Sequence, residues 1–193
     1  MLNIHTKHII GLTGGIGSGK SFVAKGLMRM GFQLYDTDSE AKRIICEEAS
    51  VRQGIINLFG PQAYQDNRYQ TAFVAAQVFE NDTKRQALNA LVHPAVIADI
   101  QKRTQEGLWV IESALLFESG INRICDKTIA VIAPEEIRLQ RILLRDKMDI
   151  EEALKRIHSQ QTEQELMAQA DIIVNNDGKQ TLDQICRYIV HNL

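Results

Sequence analysis

The sequence predicts an α/β protein: a five-stranded parallel sheet covered by helices, interrupted by a helical insertion and a charged cover segment. Three observations carry this prediction. Five short apolar or β-branched runs, at 8–12, 32–35, 109–115, 128–133 and 172–174, are separated by stretches with helical periodicity. The first run stops at a cluster of glycines, GLTGGIGSGKS at 11–21. Between the second and third runs, residues 38–106 read as helix after helix. Strands that alternate with helices need crossover connections, and these make the pairing parallel.

Each element follows in order. Residues 8–12 are a buried strand. Residues 21–30 form a helix with Val23, Ala24, Leu27 and Met28 on one face, and Gly31 is placed to cap its C-terminus. The second strand, 32–35, ends at Asp36. The insertion carries helices at 39–49, 51–59, 71–79, 84–91 and 95–105 and no clear strand; Pro94 suits the first turn of the last of these, with His93 at the junction. Strands at 109–115, 128–133 and 172–174 alternate with helices at 135–146, 150–159 and 163–170, and a final amphipathic helix spans 182–190. Residues 149–170 are polar and charged, as expected of a mobile cover.

Composition narrows the function classes. The chain has 193 residues, of which 45% are hydrophobic, enough for one sizeable core and a subdomain. The net charge of −2 argues against nucleic acid as a partner, and no Lys/Arg run points to a membrane surface. The longest apolar run, near 109–117, is broken by Glu112 and Ser113, too short to span a membrane. The N-terminal residues lack a signal-peptide pattern. Cys46, Cys125 and Cys186 are odd in number and far apart, so each is expected to be an ordinary core thiol. These features suit a cytoplasmic protein, monomeric or weakly self-associating.

The glycine cluster fits G-x-x-x-x-G-K-[S/T] as Gly14 to Ser21, with a strand before it and a helix after it. Glycines at 15, 17 and 19, with Ser18, let backbone N–H groups approach phosphate oxygens, and the following helix adds its N-terminal dipole. Lys20 is expected on the β/γ-phosphates of ATP and the Ser21 hydroxyl on Mg²⁺. The fold class thereby narrows to a P-loop NTPase-type, nucleoside-monophosphate-kinase-like three-layer fold. Phe22 can offer only its backbone N–H, and its ring is expected to pack between helix and sheet. No N-K-x-D motif reads a guanine, and the architecture suits a small kinase that clamps two ligands.

Other candidates follow from position. Asp36 closes a strand at the carboxyl-end crevice, where a carboxylate can accept a hydroxyl proton. Asp38 either joins it or caps the next helix. Glu112 ends the third strand, where it can hold Mg²⁺ through water or hydrogen-bond a substrate. Arg138, Arg141 and Arg145 share one helix face. Arg145 is expected to meet phosphate, Arg141 to face anionic substrate, and Arg138 to lie in a solvated stripe paired with acidic neighbours.

With these residues assembled, the chain resembles dephospho-CoA kinases, enzymes of the last step of coenzyme A synthesis. The matching stretches are GLTGGIGSGKS, DTD at 36–38, NALVHP at 89–94, ESALLFES at 112–119, RLQRILLRD at 138–146, RIHSQ at 156–160 and ADIIVNNDG at 170–178. The resemblance implies ATP and Mg²⁺ on the loop, 3′-dephospho-CoA against the helical insertion, and phosphoryl transfer to the ribose 3′-hydroxyl. Asp36 matches the family's proposed base. Asp38, His93, Leu115 and Leu116 fall in acceptor-side motifs, Arg145 matches a lid arginine on the ATP phosphates, and Gln160 a glutamine of the lid. Asn176 and Gly178 fall where the family contacts adenine. The implied organisation is a nucleotide-binding core at 1–37, 107–148 and 171–193, an acceptor subdomain at 38–106 and a lid at 149–170.

The chain departs from the family pattern at three places. Phe22 stands where the family loop usually carries Thr, Glu112 to Leu116 replaces D-x-P-L-L, and Thr71 opens a helix usually begun by a basic residue, so that either another cation such as Lys42, Arg43 or Arg68 meets acceptor phosphate or acceptor binding is weaker. Two other readings stay open: another P-loop small-molecule kinase, separable by its acceptor, and a non-catalytic nucleotide-binding regulator, which would release no ADP in response to an acceptor.

Overall fold

β1 (His8–Thr13) is inaccessible along nearly its whole length, and β1 is the middle strand of the sheet. The computed structural model describes residues 7–79 and 81–193; residues 1–6, where no signal-peptide pattern is expected, and Glu80 lie outside the described residues. Two compact units are formed, Met1–Tyr35 with Thr104–Leu193, and Asp36–Arg103.

In the first unit, β1 leads through the glycine loop into α1 (Lys20–Arg29), and β2 (Gln33–Asp36) follows. α1 ends as its sequence predicts. Gly31 takes φ 97°, its N–H donates to the Met28 carbonyl and the Phe32 N–H to the Leu27 carbonyl, which satisfies two carbonyls of the last turn.

In the second unit, α2 (Thr37–Glu47) and α3 (Ala49–Phe59) lead to a short hairpin of β3 (Tyr64–Gln65) and β4 (Arg68–Tyr69), then to α4 (Thr71–Phe79) and α5 (Asp82–Arg103). The hairpin is absent from the sequence expectation. Asp66 and Asn67 turn it with φ of 49° and 63°, the left-handed pair that a two-residue turn needs and that these side chains tolerate. Arg52 lies 4.6 Å over the Tyr64 ring and donates to the Asn67 side chain at 2.9 Å, so α3 holds both a strand and the turn.

α5 corrects a second expectation. His93-Pro94 does not join two helices; both lie inside one helix of 22 residues. An interior proline costs about 3 kcal/mol in lost hydrogen bonding and crowding. Burial of Val92, Val96 and Ile100 on either side of it opposes that cost, at about 1.5–3 kcal/mol for each buried aliphatic side chain. An ion cluster of Glu40, Arg43, Asp99 and Arg103 joins α2 to α5 at 2.6–3.2 Å.

The chain returns to the first unit with β5 (Leu108–Glu112), which ends at Glu112 as the carboxylate there predicts, whereas the apolar run expected to continue to 115 leaves the strand; residues 114–120 are turns. β6 (Lys127–Ile132), α6 (Glu135–Asp146), α7 (Ile150–His158), α8 (Glu163–Gln169), β7 (Ile172–Asn175) and α9 (Leu182–His191) complete it. α8 and α9 each open with a reciprocal cap, Thr162 with Glu165 and Thr181 with Gln184. The sheet order is β2-β5-β1-β6-β7, a five-stranded parallel sheet.

Strand alternation divides the core. Ile10, Leu12, Val110, Ile129, Val131, Ile172 and Val174 face Val23, Ala24 and Leu27 of α1 and Ile185 and Ile189 of α9. Gly11 points the other way, where a Cβ would come within 2.8 Å of Leu116. The cysteines differ from one another. Cys186 is buried and Cys125 partly so, but Cys46 is exposed, because Ile44 and Ile45 take the inward positions of α2.

Candidate functional site

The sheet order reverses direction at β1, whose neighbours are β5 and β6. Ligands of open parallel sheets bind beyond the carboxyl ends of the strands at such a point, and the glycine loop leaves β1 there. Gly19 is the N-cap of α1 with φ 97°, and a Cβ on it would overlap the Asn176 side-chain amide. Glycine is therefore required twice at this position, by backbone conformation and by space.

The reactive side chains of the loop are engaged with their surroundings. Lys20 Nζ donates to the Gly14 carbonyl at 2.6 Å and to that of Gly15 at 3.3 Å. The Ser21 hydroxyl donates to Glu112 Oε1 at 2.6 Å, joining the start of α1 to the end of β5. Two oxygens of this hardness, one anionic, suit Mg²⁺, which takes few protein ligands and fills its shell with water and phosphate oxygens.

The carbonyl side of the loop is gripped from behind. Arg138 Nε donates to the Ile16 carbonyl at 2.9 Å, and Arg141 reaches the carbonyls of Gly17 and Ser18 at 3.2 Å and that of Asn176 at 2.9 Å. The buried Asn176 side chain donates to the Ser18 carbonyl at 2.8 Å, and its own N–H goes to Ile132. Gly178, with φ 89°, turns the chain two residues later. Gln160 Oε1 accepts the Ile16 N–H at 2.6 Å.

Several predicted residues have other surroundings than expected. Arg138 is not in a solvated stripe; it is 5% exposed and lies under the loop. The Phe22 ring does not enter the core. It is 48% exposed, because Val23, Ala24 and Leu27 occupy the inward face of α1, and its N–H donates to the Gly19 carbonyl at 3.0 Å. Leu116 is wholly buried, whereas Leu115 is 43% exposed. Arg145 forms a two-pronged pair with Asp146 at 2.6 and 2.7 Å, which raises the Arg145 pKa and lowers that of Asp146.

In the helical unit, Asp36 and not Asp38 is the cap. Its carboxylate accepts the Asp38 N–H at 3.1 Å and the Ser39 hydroxyl at 2.6 Å. Asp38 lies within the first turn of α2. His93 is half-buried in α5, and burial pushes its pKa down. Arg43 is committed to Glu40, Glu47 and Asp99, while Lys42 and Arg68 are exposed. Among the described residues, no helix is long and apolar enough to cross a membrane.

Comparison with known proteins places the chain in a family. The family model for dephospho-CoA kinase matches residues 8–181. A dephospho-CoA kinase of Fusobacterium nucleatum is 41% identical over 174 residues, covering 88% of this chain and 90% of that protein. A crystal structure of a Thermus thermophilus protein superposes with a TM-score of 0.83 at 32% identity, over 96% of this chain and 97% of that one. A dephospho-CoA kinase from Campylobacter jejuni superposes with a TM-score of 0.68 at 27% identity, over 95% of each chain. On the family model and this close relative, the chain belongs to the dephospho-CoA kinase family.

Proposed function

We propose that this protein transfers the γ-phosphoryl group of ATP to the ribose 3′-hydroxyl of 3′-dephospho-CoA, giving coenzyme A and ADP. Family membership supports the acceptor, and the Ser21–Glu112 contact at the mouth of the glycine loop is the observation that carries the chemistry. The loop holds ATP through the N–H groups of Gly17, Gly19, Lys20 and Ser21. Lys20 exchanges its loop carbonyls for β/γ-phosphate oxygens. Ser21 and Glu112 hold Mg²⁺, which supplies charge neutralisation on the phosphates. Asn176 and Gly178 border the adenine, and Phe22 contributes no hydroxyl.

Asp36 accepts the 3′-hydroxyl proton as the new O–P bond forms and the β–γ bridge bond breaks, and the electron pair leaves on ADP. Asp38, His93 and Leu115 serve the acceptor. Arg145 leaves Asp146 for the transferring phosphate when the 149–170 segment closes and excludes water. Arg141 and Gln160 act on the loop itself. The setting is the cytoplasm, and the partner is a small molecule.

A coupled ADP-release assay with Mg²⁺ and ATP, with and without dephospho-CoA, tests this. ADP release that depends on dephospho-CoA is expected. Turnover without an acceptor, or none with it, would sink the reading, and turnover with another nucleoside or small alcohol would move the chain to a different acceptor.

A further inference from the structure

Two glycines of the loop are not demanded by the phosphate pattern. G-x-x-x-x-G-K-S specifies Gly14 and Gly19, while Gly15 and Gly17 occupy free positions. What stands against both is Arg138. A Cβ on Gly15 would overlap the Arg138 guanidinium, and one on Gly17 would lie 2.6 Å from the Arg138 carbonyl oxygen and 3.0 Å from its Cα. Both glycines therefore also serve the close approach of α6, and at Gly17 the backbone conformation, φ 79°, asks for glycine as well. Arg138 is buried, its side chain sits 3.7 Å from the Glu163 carboxylate, and its Nη2 has no hydrogen-bond partner among the described residues.

Between these glycines stands Ile16, and all of its handles are taken. Its N–H goes to Gln160 Oε1 and its carbonyl to Arg138 Nε. Its side chain packs with Leu139, Leu143 and Met148 against buried Ile142, Ala153 and Ile157. Ala153, Ile157 and Gln160 come from α7 and the turn that ends it, the segment expected to act as lid.

We propose that Gln160 and Arg138 are positioning residues for the donor nucleotide, acting through Ile16 to hold the middle of the loop in its binding shape. A stretch with four glycines in six residues loses much backbone freedom when it orders, so external restraints matter. In a trans peptide, C=O and the next N–H point in opposite directions. Arg138 on the Ile16 carbonyl therefore turns the Gly17 N–H away from α6, and Arg141 with Asn176 on the Ser18 carbonyl does the same for Gly19. The Ile16 N–H is an anchor for the lid and not a phosphate donor, so nucleotide affinity depends on the end of the lid being docked.

The inference rests on ATP being the ligand of this loop. Its test compares wild type with Gln160→Met, of similar length but without the acceptor oxygen, and with Arg138→Lys, which keeps the charge but loses Nε. MgATP affinity is measured by calorimetry, KM for both substrates by ADP release, and hydrogen exchange at the Ile16 amide by NMR. We expect ATP Kd and KM to rise about fivefold in each variant, the effect of one net hydrogen bond, with KM for dephospho-CoA unchanged. Ile16 amide exchange should quicken in Gln160→Met. Wild-type ATP affinity in Gln160→Met, or equal rises in both KM values, would overturn the inference. If Gln160→Met does not fold, Arg138→Lys decides by the same two readings. Wild-type protein that binds MgATP without acceptor-dependent turnover would defeat the proposed reaction and leave this inference standing.

Discussion

The Ser21 hydroxyl and the Glu112 carboxylate meet at 2.6 Å, although they lie 91 positions apart in the chain. If they share Mg²⁺, each should need the other. Ser21→Ala and Glu112→Gln should each lower kcat/KM about 10- to 100-fold, the scale of one hydrogen bond to a charged group. Each should also raise the Mg²⁺ concentration for half-maximal rate, and the double variant should lose less than the product of the two. Titration of the initial rate with Mg²⁺ checks this, and an unchanged Mg²⁺ requirement in both would remove the pair from the metal site.

Asp36 caps α2, and the role of base proposed for it is separable from that. Asparagine caps a helix about as well as aspartate, so Asp36→Asn should unfold at nearly the wild-type temperature while turnover falls at least about 10²-fold. Asp36→Ala should in addition lose about 1 kcal/mol of stability with the two hydrogen bonds to Asp38 and Ser39. Thermal melts beside turnover numbers separate the roles, and full activity in Asp36→Asn would end its assignment as base.

Phe22 is exposed, so Phe22→Thr should change stability by no more than about 0.5 kcal/mol. The added hydroxyl should tighten ATP binding by at most about tenfold, with activity intact. If calorimetry and rate measurements instead show a large loss, the exposed ring has a task of its own.

His93 makes stability depend on pH. Burial lowers its folded-state pKa below the usual value near 6.5. Between the two values the unfolded chain binds more protons, so stability is complete above pH 6.5 and falls as pH drops through 6.5 toward the folded value. Melting temperatures from pH 5 to 7.5 should fall on the acid side, and His93→Gln should flatten that part of the curve. A parallel curve for the variant would assign the acid loss to other groups.

Much of this protein was legible as a string because its signals are local. The glycine loop, its flanking strand and helix, and the Gly31 cap follow from backbone chemistry within a few residues, and so does the carboxylate at the end of the third strand. Asp66-Asn67 is a local turn signal as well. It was readable from the left-handed tolerance of those residues, but the two-residue strands beside it are too short to show a period.

Contacts between distant residues decided the rest. Arg138, Arg141 and Arg145 share one helix face, and their charge pattern cannot tell which lies under the loop and which meets Asp146. That depends on α6 approaching Gly15 and Gly17 closely enough to exclude a Cβ. Pro94 reads as a helix start, but burial on both sides carries α5 through it. Phe22 is apolar, yet the turn of α1 points it outward. By itself the sequence determined the five strands of the main sheet, the loop and the family. Only the tertiary structure decided which cations bind backbone and which stay at the surface, because that depends on how closely one backbone approaches another.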